Sequence, residues 1–93
     1  MEYPPPTITL SWSIPSPSTD YNGYPLYPTI AIYRTTTSSS CPSSGYSLLT
    51  TEAANMDNYT DTNVSAGTSY CYDLRFQDWN WSSPSAIIGP ITP

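Results

Sequence analysis

Cys41 and Cys71 are the only two thiols in this 93-residue chain, and they are the first residues able to do chemistry. They do not stand in a CxxC spacing, and a zinc site needs more Cys or His ligands than this sequence holds. A reactive thiol would need a base beside it, and the chain has no His. What remains is one structural disulfide, closing a loop of roughly 30 residues and contributing about 3–4 kcal/mol in the chain-entropy view. For so small a domain that is a large share of total stability. It points to an oxidising setting, extracellular or at the cell surface.

Carboxylates are the next candidates. Asp57 with Asp61, or Asp73 with Asp78, have the look of paired acids for glycoside hydrolysis. Asp57, Asp61 and Asp78 fall in expected turns or strand ends, where Asp is ordinary, and Asp73 falls on the outward face of an expected strand. No catalytic residue is assigned on this basis and no enzyme is expected. The same residues make no dense acidic loop, so no metal site and no cofactor are expected. Asn58, Asn63 and Asn80 each satisfy Asn-x-Ser/Thr and are candidates for N-glycosylation. The run Thr35–Ser40 is a candidate for O-linked sugar, in a chain where Ser and Thr number 28.

Composition removes several functions. With 2 Arg, no Lys and a net charge of −5 there is no material for a phosphate-binding stripe, so nucleic acid is excluded as a partner. No apolar stretch approaches the ~18 residues of a membrane span. No charged and apolar signal segment opens the sequence, so it reads as an excised domain, a processed subunit or a module of a longer secreted chain. Leu, Ile, Val and Phe together number only 14, but 9 Tyr and 3 Trp supply apolar area. Each buried aromatic removes roughly 150–250 Å² from water, enough to build a core on Tyr and Trp.

The elements follow from alternation. Residues 1–6 are a proline-rich lead-in. Thr7 to Ile14 alternate polar and apolar, which predicts a half-buried strand with Ile8, Leu10, Trp12 and Ile14 inward. Pro15 and Pro17 end it, and residues 15–28 read as a loop with a turn at Asn22-Gly23. A strand is expected at 29–34, with Ile30 and Ile32 inward and Ala31 and Tyr33 outward. Residues 46–51 read as a short edge strand, 52–57 as a weak region compatible with one helical turn, and 58–62 as a short strand. Ser65–Thr68 is a turn. Tyr70, Tyr72, Leu74 and Phe76 then alternate with Cys71, Asp73 and Arg75, and a last strand spans 85–91. Eleven prolines and no long 3.6-residue period leave little room for helix. The expected fold is all-β, an antiparallel two-sheet sandwich.

Over residues 7–91 this order of motifs resembles a fibronectin type III domain. The likeness is carried by Leu10-Ser11-Trp12, Ile30-Ala31-Ile32-Tyr33-Arg34, Tyr59-Thr60-Asp61-Thr62, Ala66-Gly67-Thr68-Ser69-Tyr70 and Trp81-Ser82-Ser83-Pro84-Ser85. It implies a core built on Trp12, Ile30, Ile32, Tyr70, Tyr72 and Leu74. It also implies that the Tyr70 hydroxyl bonds back to the chain upstream. Residues 7–93 would form the domain, with residues 1–6 as a residual strand A. That strand is short or missing: either the lead-in lies along the exposed edge and its prolines blunt it, or a neighbour's segment fills it. The family does not require a disulfide. In this topology the outer-face Cys71 near the start of one strand and Cys41 just past the end of its antiparallel neighbour come within reach.

The same architecture brings the loop holding Tyr21, Tyr24 and Tyr27 and the loop holding Trp79 and Trp81 to one pole. Clustered aromatics there suit sugar stacking or a protein contact, unless the rings fold back to enlarge a thin core. The resemblance implies a non-catalytic extracellular module, structural or adhesive. With its Ser/Thr/Tyr-rich surface it reads as a glycosylated repeating subunit of a filament or other secreted assembly, its partners further copies or neighbouring domains. The alternative is a carbohydrate-binding accessory module of a secreted glycoside hydrolase.

Overall fold

The computed structural model describes residues 4–13, 18–53, 56–77 and 86–93. Among these residues the chain is all-β. Its strands are β1 (Ile8–Ser11), β2 (Ser18–Thr19), β3 (Pro25–Leu26), β4 (Thr29–Thr37), β5 (Ser47–Ala53), β6 (Asn58–Asp61), β7 (Ser69–Gln77) and β8 (Ala86–Ile91). They form a two-stranded sheet β1-β6, a four-stranded sheet β5-β4-β7-β8 and a two-residue ladder β2-β3, each antiparallel. Ile8 and Leu10 from the small sheet and Ile30, Ile32, Tyr70, Tyr72 and Leu74 from the large one join Val64 in a single buried cluster. The two sheets thus share one core, an arrangement consistent with a β-sandwich.

Alternation explains most of this. In β1 the even residues are buried and Thr9 and Ser11 are exposed. In β4 and β7 the inward sets begin with Ile30 and Tyr70, and Ile30, Ile32 and Tyr72 have no exposed surface at all. Burying an Ile side chain in this way contributes roughly 1.5–3 kcal/mol.

Several expectations shift. Trp12 lies beyond the end of β1 and is partly buried at the margin of the core. Its backbone N–H donates to Asp57 O at 2.9 Å and its indole Nε1–H to Met56 O at 2.8 Å, so the ring closes a loop instead of centring the core. Ile14 lies outside the described residues, as do Asp78, Trp79, Asn80 and Trp81. Thr35–Thr37, beyond the expected strand end at 34, extend β4, because all three pair with β7 through Cys71, Tyr70 and Ser69. Glu52 and Ala53 continue β5 where a helical turn was entertained. Ala31 and Asp73, assigned outward, are on the outer face yet buried.

Cys41 and Cys71 form a disulfide, with their Cα atoms 5.7 Å apart. β8 runs past the bridge with a break in its register. Tyr70 pairs with Ile91 but Tyr72 with Ile88, so β8 carries one extra residue opposite Cys71. That bulge holds Gly89 at φ +120°, where an added Cβ would lie 2.7 Å from Tyr70 O, 3.3 Å from Cys71 Cα and 3.4 Å from Cys41 Sγ.

Only glycine satisfies both the backbone angle and the contact. Gly89→Ala should therefore lower the unfolding free energy by about 2–4 kcal/mol, combining backbone strain with overpacking. Gly45 has a similar φ of +90° with nothing within 4 Å, so Gly45→Ala should lose only the strain, about 1–2 kcal/mol. Urea midpoints at unchanged slope measure both. Equal losses would contradict the close approach of Gly89 to Tyr70 O and Cys71 Cα.

Candidate functional site

Arg34 continues the inward set of Ile30 and Ile32 on β4, which aims a cation into the space between the sheets. Across that space, β6 ends on Asp61, only 1% exposed. Arg34 Nη1 donates to Asp61 Oδ2 at 2.7 Å and to Asn63 O at 2.9 Å. The Tyr72 hydroxyl donates to the same Oδ2 at 2.7 Å, and the Asn63 N–H to Oδ1 at 3.0 Å. The guanidinium also sits 5.4 Å from the centre of the Tyr70 ring. The Tyr70 hydroxyl in turn accepts the Ser65 N–H at 2.8 Å. One carboxylate thus joins β4, β6, β7 and the turn after β6.

Burial alone would raise the Asp61 pKa. The bonds from Tyr72, Arg34 and the Asn63 amide, with the charge on Arg34, outweigh it and hold the carboxyl below its usual range. Burial, then the bond to Asp61 and its charge, push the Tyr72 phenol far above its ordinary value. Burial pulls Arg34 down, but the hydrogen bond and charge of Asp61 win and its pKa rises. A carboxylate so occupied and so acidic is a poor general base. The cluster is a structural staple.

Other acids among the described residues are also engaged. Asp57 Oδ1 accepts Asn58 Nδ2–H at 2.7 Å. Asp20 Oδ1 accepts the N–H groups of Asn22 and Tyr24, shaping the turn that Gly23 completes. Asp73 Oδ2 receives Arg75 Nε and Nη2, while its buried Oδ1 has no partner among the described residues. No group of three or more His, Cys, Asp or Glu able to hold a metal occurs among the described residues.

The loop aromatics are arranged differently. Tyr21 is fully exposed, Tyr24 is 67% exposed and Tyr27 49%. They do not fold back onto the core. The loop that bears them ends at Thr29, which pairs with Gln77 at the end of β7, so the segment after β7 starts from the same pole. Trp79 and Trp81 belong to that segment and lie outside the described residues. Asn58, on β6, and Asn63, just after it, are both exposed; Asn80 is outside the described residues.

The staple is what sequence reading missed. The signal was there: one of only two arginines stands two residues after Ile32, at inward parity, and a half-buried cation needs a carboxylate opposite it. No family model matches the chain, and neither a curated protein nor a solved structure does. Among the described residues no helix is long and apolar enough to cross a membrane.

The staple dictates the pH response. The lowered carboxyl of Asp61 contributes stability that is present above the unfolded carboxyl pKa near ~4 and lost as pH falls through its folded value. The raised phenol of Tyr72 contributes stability that is present below an unfolded pKa near ~10 and lost as pH rises towards its folded value. Stability should form a plateau between about pH 5 and 9 with a fall on each side. Tyr72→Phe should cost about 1.5–3 kcal/mol on the plateau and shallow both limbs. Urea titrations at acid, neutral and alkaline pH read this out. A Tyr72→Phe profile parallel to that of the unchanged protein would contradict it.

Proposed function

We propose that this chain is a non-catalytic structural or adhesive module of the extracellular space or cell surface, a glycosylated repeating subunit of a filament or other secreted assembly. The observation that carries the reading is the Cys41–Cys71 disulfide, with Cys71 fully buried and β8 bulged over the bridge. A bridge built so deeply into a small fold belongs to an oxidising compartment. Support for a sandwich like that of fibronectin type III comes from the order β5-β4-β7-β8 facing β1-β6. The Tyr70 hydroxyl tied to Ser65 supports it too. The exposed Asn58 and Asn63 sequons support glycan attachment.

The exposed Tyr21, Tyr24 and Tyr27 favour a second reading, a carbohydrate-binding accessory module. Rings projecting from a loop are suited to stacking on sugars.

Intact mass of the protein from its native source, before and after reduction and alkylation, tests the first reading. The expected result is a mass above the 10.2 kDa of the polypeptide in sugar-sized steps, with no thiol labelled before reduction. Free thiols would remove the carrying observation. A bare polypeptide mass, with polysaccharide retention lost on replacing the three tyrosines by Ala, would favour the second reading instead.

A further inference from the structure

Among the described residues the small sheet has only two strands, and the edge of β1 away from β6 differs from the other edges. Trp12 N–H donates to Asp57 O, which continues the β1–β6 register and makes 12/57 a hydrogen-bonded pair. By alternation, 10/59 and 8/61 are hydrogen-bonded pairs as well. Thr9 and Ser11 then turn their N–H and C=O groups away from β6. The 3.1 Å approach of the Thr9 and Thr60 hydroxyls fits the closer side chains of such a non-bonded pair. Among the described residues nothing pairs with these four groups.

Other strand edges carry protection. β5 has Glu52 and an irregularity at Leu49, β8 has Pro90 and its bulge, and β6 is preceded by the exposed Asp57. The exposed residues of β1 are Thr9 and Ser11, with no charge, no proline and no bulge. We propose that β1 pairs antiparallel with β1 of a second copy of this chain, Leu10 facing Leu10, to make a continuous four-stranded sheet. This deepens the assembly reading above and rests on it for its biological setting.

The edge is self-complementary. About a two-fold axis at Leu10, Thr9 of one copy faces Ser11 of the other, and all four outward groups on each strand find partners. Leu10 meets its copy on the core side and Ile8 meets Trp12, whose ring is only partly buried in the single chain. No charge on β1 is brought against its like. The proline-rich lead-in is a poorer occupant: Pro4, Pro5 and Pro6 have no N–H to offer the carbonyls of Thr9 and Ser11.

Sedimentation velocity from micromolar to millimolar protein, with amide hydrogen exchange at Thr9 and Ser11, tests this. A concentration-dependent dimer is expected, with exchange at both amides slowed about tenfold or more as it forms. Thr9→Pro removes an outward N–H without touching the β1–β6 ladder, and Thr9→Lys places a charge beside the edge. Both should sediment as monomers with the fold intact. If the proline variant fails to fold, the lysine variant and the exchange data decide. A protein monomeric throughout, with both amides exchanging freely, would overturn the inference. So would association that persists in Thr9→Lys with exchange unchanged, because another surface would then be responsible. Either result leaves the structural-module reading to stand or fall on the mass measurement.

Discussion

The rest of the structure depends on one carboxylate. Asp61 is almost wholly buried, and it receives a guanidinium from the facing sheet, a phenol from β7 and an amide from the turn that follows it. A buried charge is tolerable only when it is paired and its remaining lone pairs are occupied. Satisfying Asp61 therefore sets the distance between the sheets, the inward rotamers of Arg34 and Tyr72, and the path of the chain after β6. In a chain with only 14 Leu, Ile, Val and Phe residues, apolar packing leaves the relative placement of the sheets loosely specified. A polar contact with one solution supplies what a thin core does not.

The remaining cross-links gather at the same end of the sandwich. Cys71, bridged to Cys41, lies between Tyr70 and Tyr72, and Gly89 packs over the bridge. The Gly67 N–H donates to Pro93 O at 3.1 Å, and the Ser69 and Thr92 hydroxyls approach to 2.6 Å, tying the final residues to the turn before β7. The opposite end has the Trp12 loop contact, the β2–β3 ladder and the exposed tyrosines. Local opening should follow this gradient, with the tyrosine end exchanging its amides before the stapled end. A surface that adapts to a partner is best placed where the fold holds least firmly.

How much of this was legible in the sequence depends on which force set each feature. Two-residue alternation reports burial directly, so the inward faces of β1, β4 and β7 could be read from Ile8, Leu10, Ile30, Ile32, Tyr72 and Leu74. Strand ends are set by pairing instead. Thr35–Thr37 fell outside the expected strand because polar β-branched residues carry no burial signal, yet β7 extends alongside them and recruits them. Trp12 fitted the alternation, but its indole N–H needed an acceptor and found Met56 O at the rim. Asp73 looked exposed by parity and is buried on the outer face, a consequence of neighbours that no local pattern encodes. Asp61 was dismissed as an ordinary turn residue because its partners are 27 and 11 residues away.

Glycans and a paired edge would compete for space only if they pointed the same way. Strand addition extends a sheet within its own plane, about 4.8 Å per strand, whereas exposed side chains stand perpendicular to that plane. Asn58 is on β6 facing Ser11, and Asn63 follows at the stapled end, so both lie on the side of β1 away from its free edge. The tyrosine loop lies at the other pole, on the connection from β1 to β4. The β1 edge and Asn63 thus lie apart from the aromatic pole, whereas Asn58, paired with Ser11, sits at the Trp12 end nearer the tyrosines, and Asn80 is outside the described residues.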